Sequence, residues 1–168
     1  MSEYEFEFAF CIFCASGHEN RTVEAIEREF SGAKAYFATF EREERKDGVW
    51  YKRTLPLISG YVFVYSNELL DVLRLKRTIG VYRLLQYEDG EYALRGSDLD
   101  FAKWIWTSGG NIGLSKAIKK GSRVEIVSGP LARYAGVIKD VNNQRRSALV
   151  EIEVGEMKRD VWLSFEWL

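Results

Sequence analysis

The sequence predicts an α+β protein in which strands and helices alternate through the front and a tail built of strands alone follows. Three observations carry this. Between Phe6 and Phe101 the apolar positions switch repeatedly between a period of two and a period near 3.6. Beyond Lys120 the helical period disappears, and short β-branched runs stand between Gly, Asn and charged turns. Between the two regimes, residues 108–113 read Ser-Gly-Gly-Asn-Ile-Gly, too dense in glycine for regular structure and therefore a linker. A chain of 168 residues has room for one large domain or two small ones. With 46% hydrophobic and 29% charged residues it can bury a core and stay in solution.

Taken in order, residues 6–14 are aromatic and apolar with few interruptions, a strand. Ser16 and Glu19 have capping-box spacing before a helix that runs to about Phe30, with Val23, Ile26 and Phe30 on one face. Ser31-Gly32 ends it. Residues 34–41 form a second strand, and residues 49–55 pair back across the Asp47-Gly48 turn. In residues 61–65, Tyr61, Phe63 and Tyr65 share one face and Val62 and Val64 the other, so both faces are apolar and the strand is central. A leucine-rich helix is expected over residues 67–77, a strand over residues 80–85, and a third helix carrying Phe101, Trp104 and Ile105 after a second capping-box spacing at Ser97 and Asp100. In the tail, residues 124–127, 137–141, 148–154 and 161–165 are short strands.

Several function classes find no support. No run approaches the roughly 18 apolar residues of a membrane span, and the acidic residues around Phe6 and Phe8 carry the wrong charge for a secretory signal, so a cytoplasmic protein is expected. Cys11 and Cys14 form a C-x-x-C, but they lie within a strand, where residues three apart point to opposite faces. A structural zinc would need four ligands, and the only histidine is His18, so no metal and no cofactor are expected and packing cysteines are the better reading. With no paired acid and base and no phosphate-binding glycine loop, nothing builds an enzyme. The net charge of −1 hides an asymmetry: from Lys116 onward ten Lys and Arg face seven Asp and Glu, whereas the preceding residues are net acidic. Two modules with different partners are implied.

The stretch of residues 121–138, with Gly121, Gly129-Pro130 and Gly136 punctuating two β-rich runs, resembles a KOW motif, the two-strand core of a small β-barrel. Together with the strand and helix order of the front, this resembles the NusG family of transcription factors over nearly the whole chain. Ser16-Gly17-His18-Glu19 matches the family's S-G-x-E entry to its first helix. Ser59-Gly60-Tyr61-Val62-Phe63-Val64 matches its P-G-Y-[VL]-F-V strand with Ser59 for the usual proline, and Thr78-Ile79-Gly80-Val81 matches its T-x-G-V turn. Residues 114–117 before the KOW and Gly129-Pro130-Leu131 within it resemble the specialised antiterminators, LoaP-type factors above all. Arg133 stands where many members have glycine.

The resemblance implies an NGN-type antiparallel sheet flanked by helices over residues 1–107, a linker over residues 108–116 and a KOW barrel over residues 117–168. It implies a monomeric elongation factor that binds RNA polymerase from clamp helices to gate loop and promotes processive antitermination of a specific operon. Tyr61, Phe63, Tyr87, Phe101 and Trp104 are the expected polymerase contacts, with the gate loop near residues 71–74 and Arg74. Arg133, Lys139, Arg145, Arg146, Lys158 and Arg159 are the expected contacts to a nascent RNA hairpin, since guanidinium groups grip phosphate bidentately. The alternatives are a housekeeping NusG-like factor whose KOW binds a ribosomal protein or a termination factor, and a ribosome-associated RNA-binding protein. In the paralogue RfaH the second domain can also fold as helices; the β-branched tail here predicts strands throughout.

Overall fold

The computed structural model describes residues 6–168; the acidic residues that open the chain lie outside them. In chain order the elements are β1 (Phe8–Cys14), α1 (Glu19–Glu29), β2 (Lys34–Tyr36), β3 (Thr39–Lys46), β4 (Val49–Pro56), β5 (Tyr61–Ser66), α2 (Val72–Lys76), β6 (Val81–Leu84), α3 (Gly96–Thr107), β7 (Asn111–Ile112), β8 (Ser115–Lys120), β9 (Arg123–Ser128), β10 (Ile138–Asn142), β11 (Ser147–Val154) and β12 (Met157–Trp167). The chain divides into two compact units, one ending at Ala38 and resuming over Ile58–Gly110, the other made of Thr39–Leu57 and Asn111–Leu168. The hairpin of residues 39–57 therefore clusters with the tail, a placement that does not follow the boundary expected near residues 108–116.

The front unit is a four-stranded sheet of order β2-β5-β1-β6, antiparallel throughout, with β5 central as its two apolar faces require. On one face Phe10, Ile12, Val62, Val64 and Leu84 pack with Ile26 and Phe30 of the first helix and Leu75 of the second. On the other, Phe63 meets Phe101 of α3, and the Tyr65 hydroxyl donates to the Ala102 carbonyl at 2.7 Å. Helices thus flank the sheet on both sides.

Three local expectations are corrected. Ser16 is exposed and caps nothing; Glu19 reaches back instead to accept from the Gly17 amide at 2.7 Å, and its other oxygen accepts from the Gly60 amide at 2.8 Å. Gly60, at φ +81, also lies where a Cβ would come within 3.0 Å of the Cys14 carbonyl, so glycine is needed there twice over. The second helix is only five residues long, because the Asp71 carboxylate accepts from the Leu73 and Arg74 amides and starts the helix late. Leu69 and Leu73 are consequently 68% and 65% exposed. Ser97 lies inside α3, whose N-cap is Arg95 with no side-chain bond.

The second unit holds a five-stranded sheet of order β10-β11-β12-β8-β9 and a three-stranded one of order β4-β3-β7. All pairs in the first are antiparallel except β12 with β8, in which Phe165–Trp167 run parallel to Ser115–Ala117. β7 and the start of β8 occupy much of the expected linker. β8 escapes the apolar count because its inward positions are the small residues Ser115 and Ala117. Gly129, at φ +93, lies where a Cβ would stand 2.7 Å from the Ser115 Cα, and the Ser115 hydroxyl accepts from the Leu131 amide at 2.9 Å. The turn after β9 is thereby pinned to β8 through a single 3-10 turn, Pro130–Arg133.

Candidate functional site

Two surfaces, one on each unit, are positioned by the sheets just described. On the front unit, the registers Phe13↔Tyr61 and Phe13↔Arg83 set three side chains in a row across β5, β1 and β6. Tyr61 meets Phe13 edge-on at 4.7 Å and 88°, and the Arg83 guanidinium lies 4.5 Å from the Phe13 ring centre. The row follows from alternation: Tyr61 shares a face with Phe63 and Tyr65 but sits at the start of the strand and remains partly exposed. Partial burial pushes the Tyr61 hydroxyl above its ordinary pKa. The result is an amphipathic aromatic edge beside a cation, the kind of residue pair enriched at protein interfaces.

The other residues expected to meet polymerase fall elsewhere. Phe63, Phe101 and Trp104 are 0%, 5% and 4% exposed and pack in a chain of rings, Phe63 on Phe101 at 5.7 Å and Phe101 on Trp104 at 5.8 Å. That corrects the expectation of exposed contacts, because a sheet face covered by a helix buries every second residue of the strand beneath it. Tyr87 is half-buried; its hydroxyl donates to Asp98 at 2.7 Å, Arg95 stacks on its ring at 4.2 Å, and burial followed by the Asp98 contact pushes its pKa up to about 12. Arg74 ties the two helices together, donating to the Glu29 carboxylate at 3.1 Å and to the Glu29 carbonyl at 2.6 Å.

On the second unit the six expected basic residues separate into two groups. Lys139 pairs with Asp160 at 3.0 Å and Lys158 with Glu151 at 2.9 Å. Arg146, at φ +49 in the turn between β10 and β11, is drawn inward: its guanidinium lies 3.7 Å from the Trp50 ring centre and 3.4 Å from the Glu43 carboxylate. This corrects its expected place on an open RNA surface. Arg133, Arg145 and Arg159 are exposed, and their side chains have no carboxylate partner among the described residues. Sequence reasoning passed over Trp50, Gln144 and Trp162. They come from three separate segments, and only the fold brings them to one cavity of about 580 Å³ in the second unit.

The thiols of Cys11 and Cys14 are buried and free, and burial pushes both up in pKa, which suits packing rather than redox work. Among the described residues no cluster of His, Cys, Asp and Glu could hold a metal ion, and no helix is long and apolar enough to cross a membrane.

Residues 10–101 match the family model described as transcription termination factor NusG. No curated protein matches the chain. Among solved structures it is similar to one titled for domain interaction in Thermotoga maritima NusG, at a TM-score of 0.56 and 20% identity, over 94% of this chain and 93% of that one. At that identity the likeness speaks to the fold, and it agrees with an α+β front followed by a β domain. The family match, by contrast, spans more than half of the chain and takes in the sheet, its central strand and the Tyr61 row. The chain therefore belongs to the NusG family, non-enzymatic transcription factors that generally bind RNA polymerase.

Proposed function

We propose that this chain is a specialised, cytoplasmic elongation factor that binds RNA polymerase across its cleft, from clamp helices to gate loop, and promotes processive antitermination of a specific operon. The observation that carries the reading is the partly exposed Tyr61–Phe13–Arg83 row, which lies within the segment matching the family. A bridge across a cleft acts without chemistry: it binds the closed state better than the open one and so shifts the population toward it. In this reading residues 1–107 form the polymerase-binding module, residues 108–116 the connection and residues 117–168 the module for nascent RNA. Of the expected polymerase contacts, Tyr61, Tyr87 and Arg74 remain as candidates, while Phe63, Phe101 and Trp104 pack the core between the sheet and α3. Arg133, Arg145 and Arg159 supply guanidinium groups for phosphate, with the ion-paired Lys139 and Lys158 nearby in sequence to the strand ends they flank.

A second reading has its own observation. Val127, Val137, Ile138 and Val141 are exposed on the tail, and an apolar patch suits a protein partner such as a ribosomal component or a termination factor. Nuclease separates the two readings from the polymerase claim. Purified with its partners from nuclease-treated extract, the chain retains polymerase, and Tyr61→Ala weakens that binding by roughly 1–3 kcal/mol with an unchanged melting temperature. Loss of polymerase on nuclease treatment, or a melting loss as large as the binding loss, overturns the interface.

A further inference from the structure

We propose that the cavity where the β3–β4 hairpin meets β11 and β12 holds one unpaired nucleotide of a bound RNA, its base against Trp162 and its phosphate on Arg145. The inference rests on the reading that the tail contacts RNA, and it names where and how a base is taken out of the stack.

The site is built inside the second unit. The Glu43 amide donates to the Ser164 hydroxyl at 3.0 Å and Arg146 stacks on Trp50, so the hairpin is held over the register pair Ser147↔Ser164. Beyond that pair on the same face of the sheet, the register sets Trp162 opposite Leu149, where it lines the cavity. The volume of about 580 Å³ lies within the range of small-ligand pockets, ~300–1,000 Å³.

What singles out a nucleotide is which groups are already used. Trp50 is occupied by Arg146, whereas the Trp162 ring has no aromatic or cationic partner among the described residues. The carboxylate of Glu44 is taken by Arg53 at 3.1 and 3.3 Å and Oε2 of Glu43 by Arg146 at 3.4 Å, which leaves Glu43 Oε1 as a buried acceptor in the same lining. Arg42, Arg45 and Arg145 also line the cavity, and none of them has a carboxylate partner among the described residues. Gln144 adds an uncommitted amide that can both donate and accept. A free π-face for a base, uncompensated guanidinium groups for a phosphate and an amide for a base edge stand together.

A peptide would add to a free strand edge, here β4 or β10, and would leave the Trp162 ring and the cavity's guanidinium groups unused. A duplex keeps its bases stacked inside, so only a bulged or looped-out nucleotide can enter, the form in which RNA sequence and shape are usually read. Stacking on one aromatic ring tolerates any base, so discrimination falls to Gln144.

The test uses the full chain and fluorescein-labelled hairpins that share one stem, either fully paired or carrying a single unpaired adenosine, in RNA and in DNA, with binding read by anisotropy at several salt concentrations. The bulged RNA should bind about tenfold more tightly than the paired RNA, and the bulged DNA no more tightly than the bulged RNA. Trp162→Leu should remove the preference for the bulge while leaving affinity for the paired RNA and the melting temperature unchanged. Should that variant fail to fold, Arg145→Gln, on an exposed turn, should reduce the same preference. Equal, salt-dependent binding of bulged and paired RNA overturns the nucleotide site while leaving RNA contact by the tail standing. No binding of either RNA overturns the broader reading and the site with it. A bulge preference that survives both variants, or a preference for bulged DNA over bulged RNA, also overturns the proposal.

Discussion

In the front unit buried polar groups are spoken for: the Tyr65 hydroxyl donates to Ala102, and the buried Glu19 carboxylate accepts two amides. Among the described residues, Arg42 Nε, Glu43 Oε1 and Arg146 Nε of the second unit are buried with no hydrogen-bond partner, against Ser108 Oγ alone in the front. An unsatisfied buried donor or acceptor costs about 1–3 kcal/mol. The front therefore spends its polar groups on its own stability, while the second unit holds charged groups that its own fold does not satisfy. Arg42 and Glu43 line the cavity together with the exposed Arg145, and Arg146 stacks on Trp50 beside them, so the unsatisfied groups lie where a ligand could reach them.

The comparison breaks most visibly at Phe63. Wholly buried between the sheet and α3, it should cost about 3–5 kcal/mol on replacement by Ala in a denaturant titration. A loss below ~1 kcal/mol would mean the front core is less closely packed than described. Next comes the Glu43–Arg146 pair, both of whose side chains are mostly buried. Either single Ala variant should lose about 1–3 kcal/mol by leaving the other group unpaired, and the double variant should lose less than the two added together. Simple additivity would show that the ion pair holds nothing.

The smallest effect concerns pH. Burial raises the Cys11 and Cys14 thiols, so above the ordinary thiol range near ~8.5 the unfolded chain releases protons that the folded chain keeps. Stability contributed by these thiols is complete below that range and falls as pH rises toward their folded values, by at most about 1.4 kcal/mol per pH unit for each thiol. Cys11→Ala should flatten the alkaline slope of the melting temperature; an unchanged slope would show that the thiol plays no part.

Much of the front was legible because its signals are local. Alternation placed Val62 and Val64 opposite Tyr61 and Phe63; in the second unit, the equally local Asp47-Gly48 signal gave the hairpin turn, both residues having positive φ. The errors came where a side chain had a competing local or distant partner. Glu19 bonds Gly17 and Gly60 rather than completing a box with Ser16, and Asp71 delays a helix whose leucines suggested a longer one. The membership of residues 39–57 in the second unit was not legible at all. It depends on Arg146 finding Trp50 and Ser164 finding the Glu43 amide, pairings that no local pattern encodes. For the same reason Arg146 was read as surface charge, while Trp50 and Trp162 went unremarked.

The hydrogen bond from Glu43 to Ser164 spans 121 residues of chain. On a ribosome adding about 5–20 residues per second, the hairpin waits roughly 6–24 s for that partner to be made. β12 is also the strand that joins β11 to β8, so β8 and β9 can pair only with each other until it arrives. During that interval the front sheet can finish folding, whereas the hairpin carries Trp50, Arg42 and Glu43 without their covering. The second unit is thus assembled from an early hairpin and a late run of strands, and its completion is timed by β12.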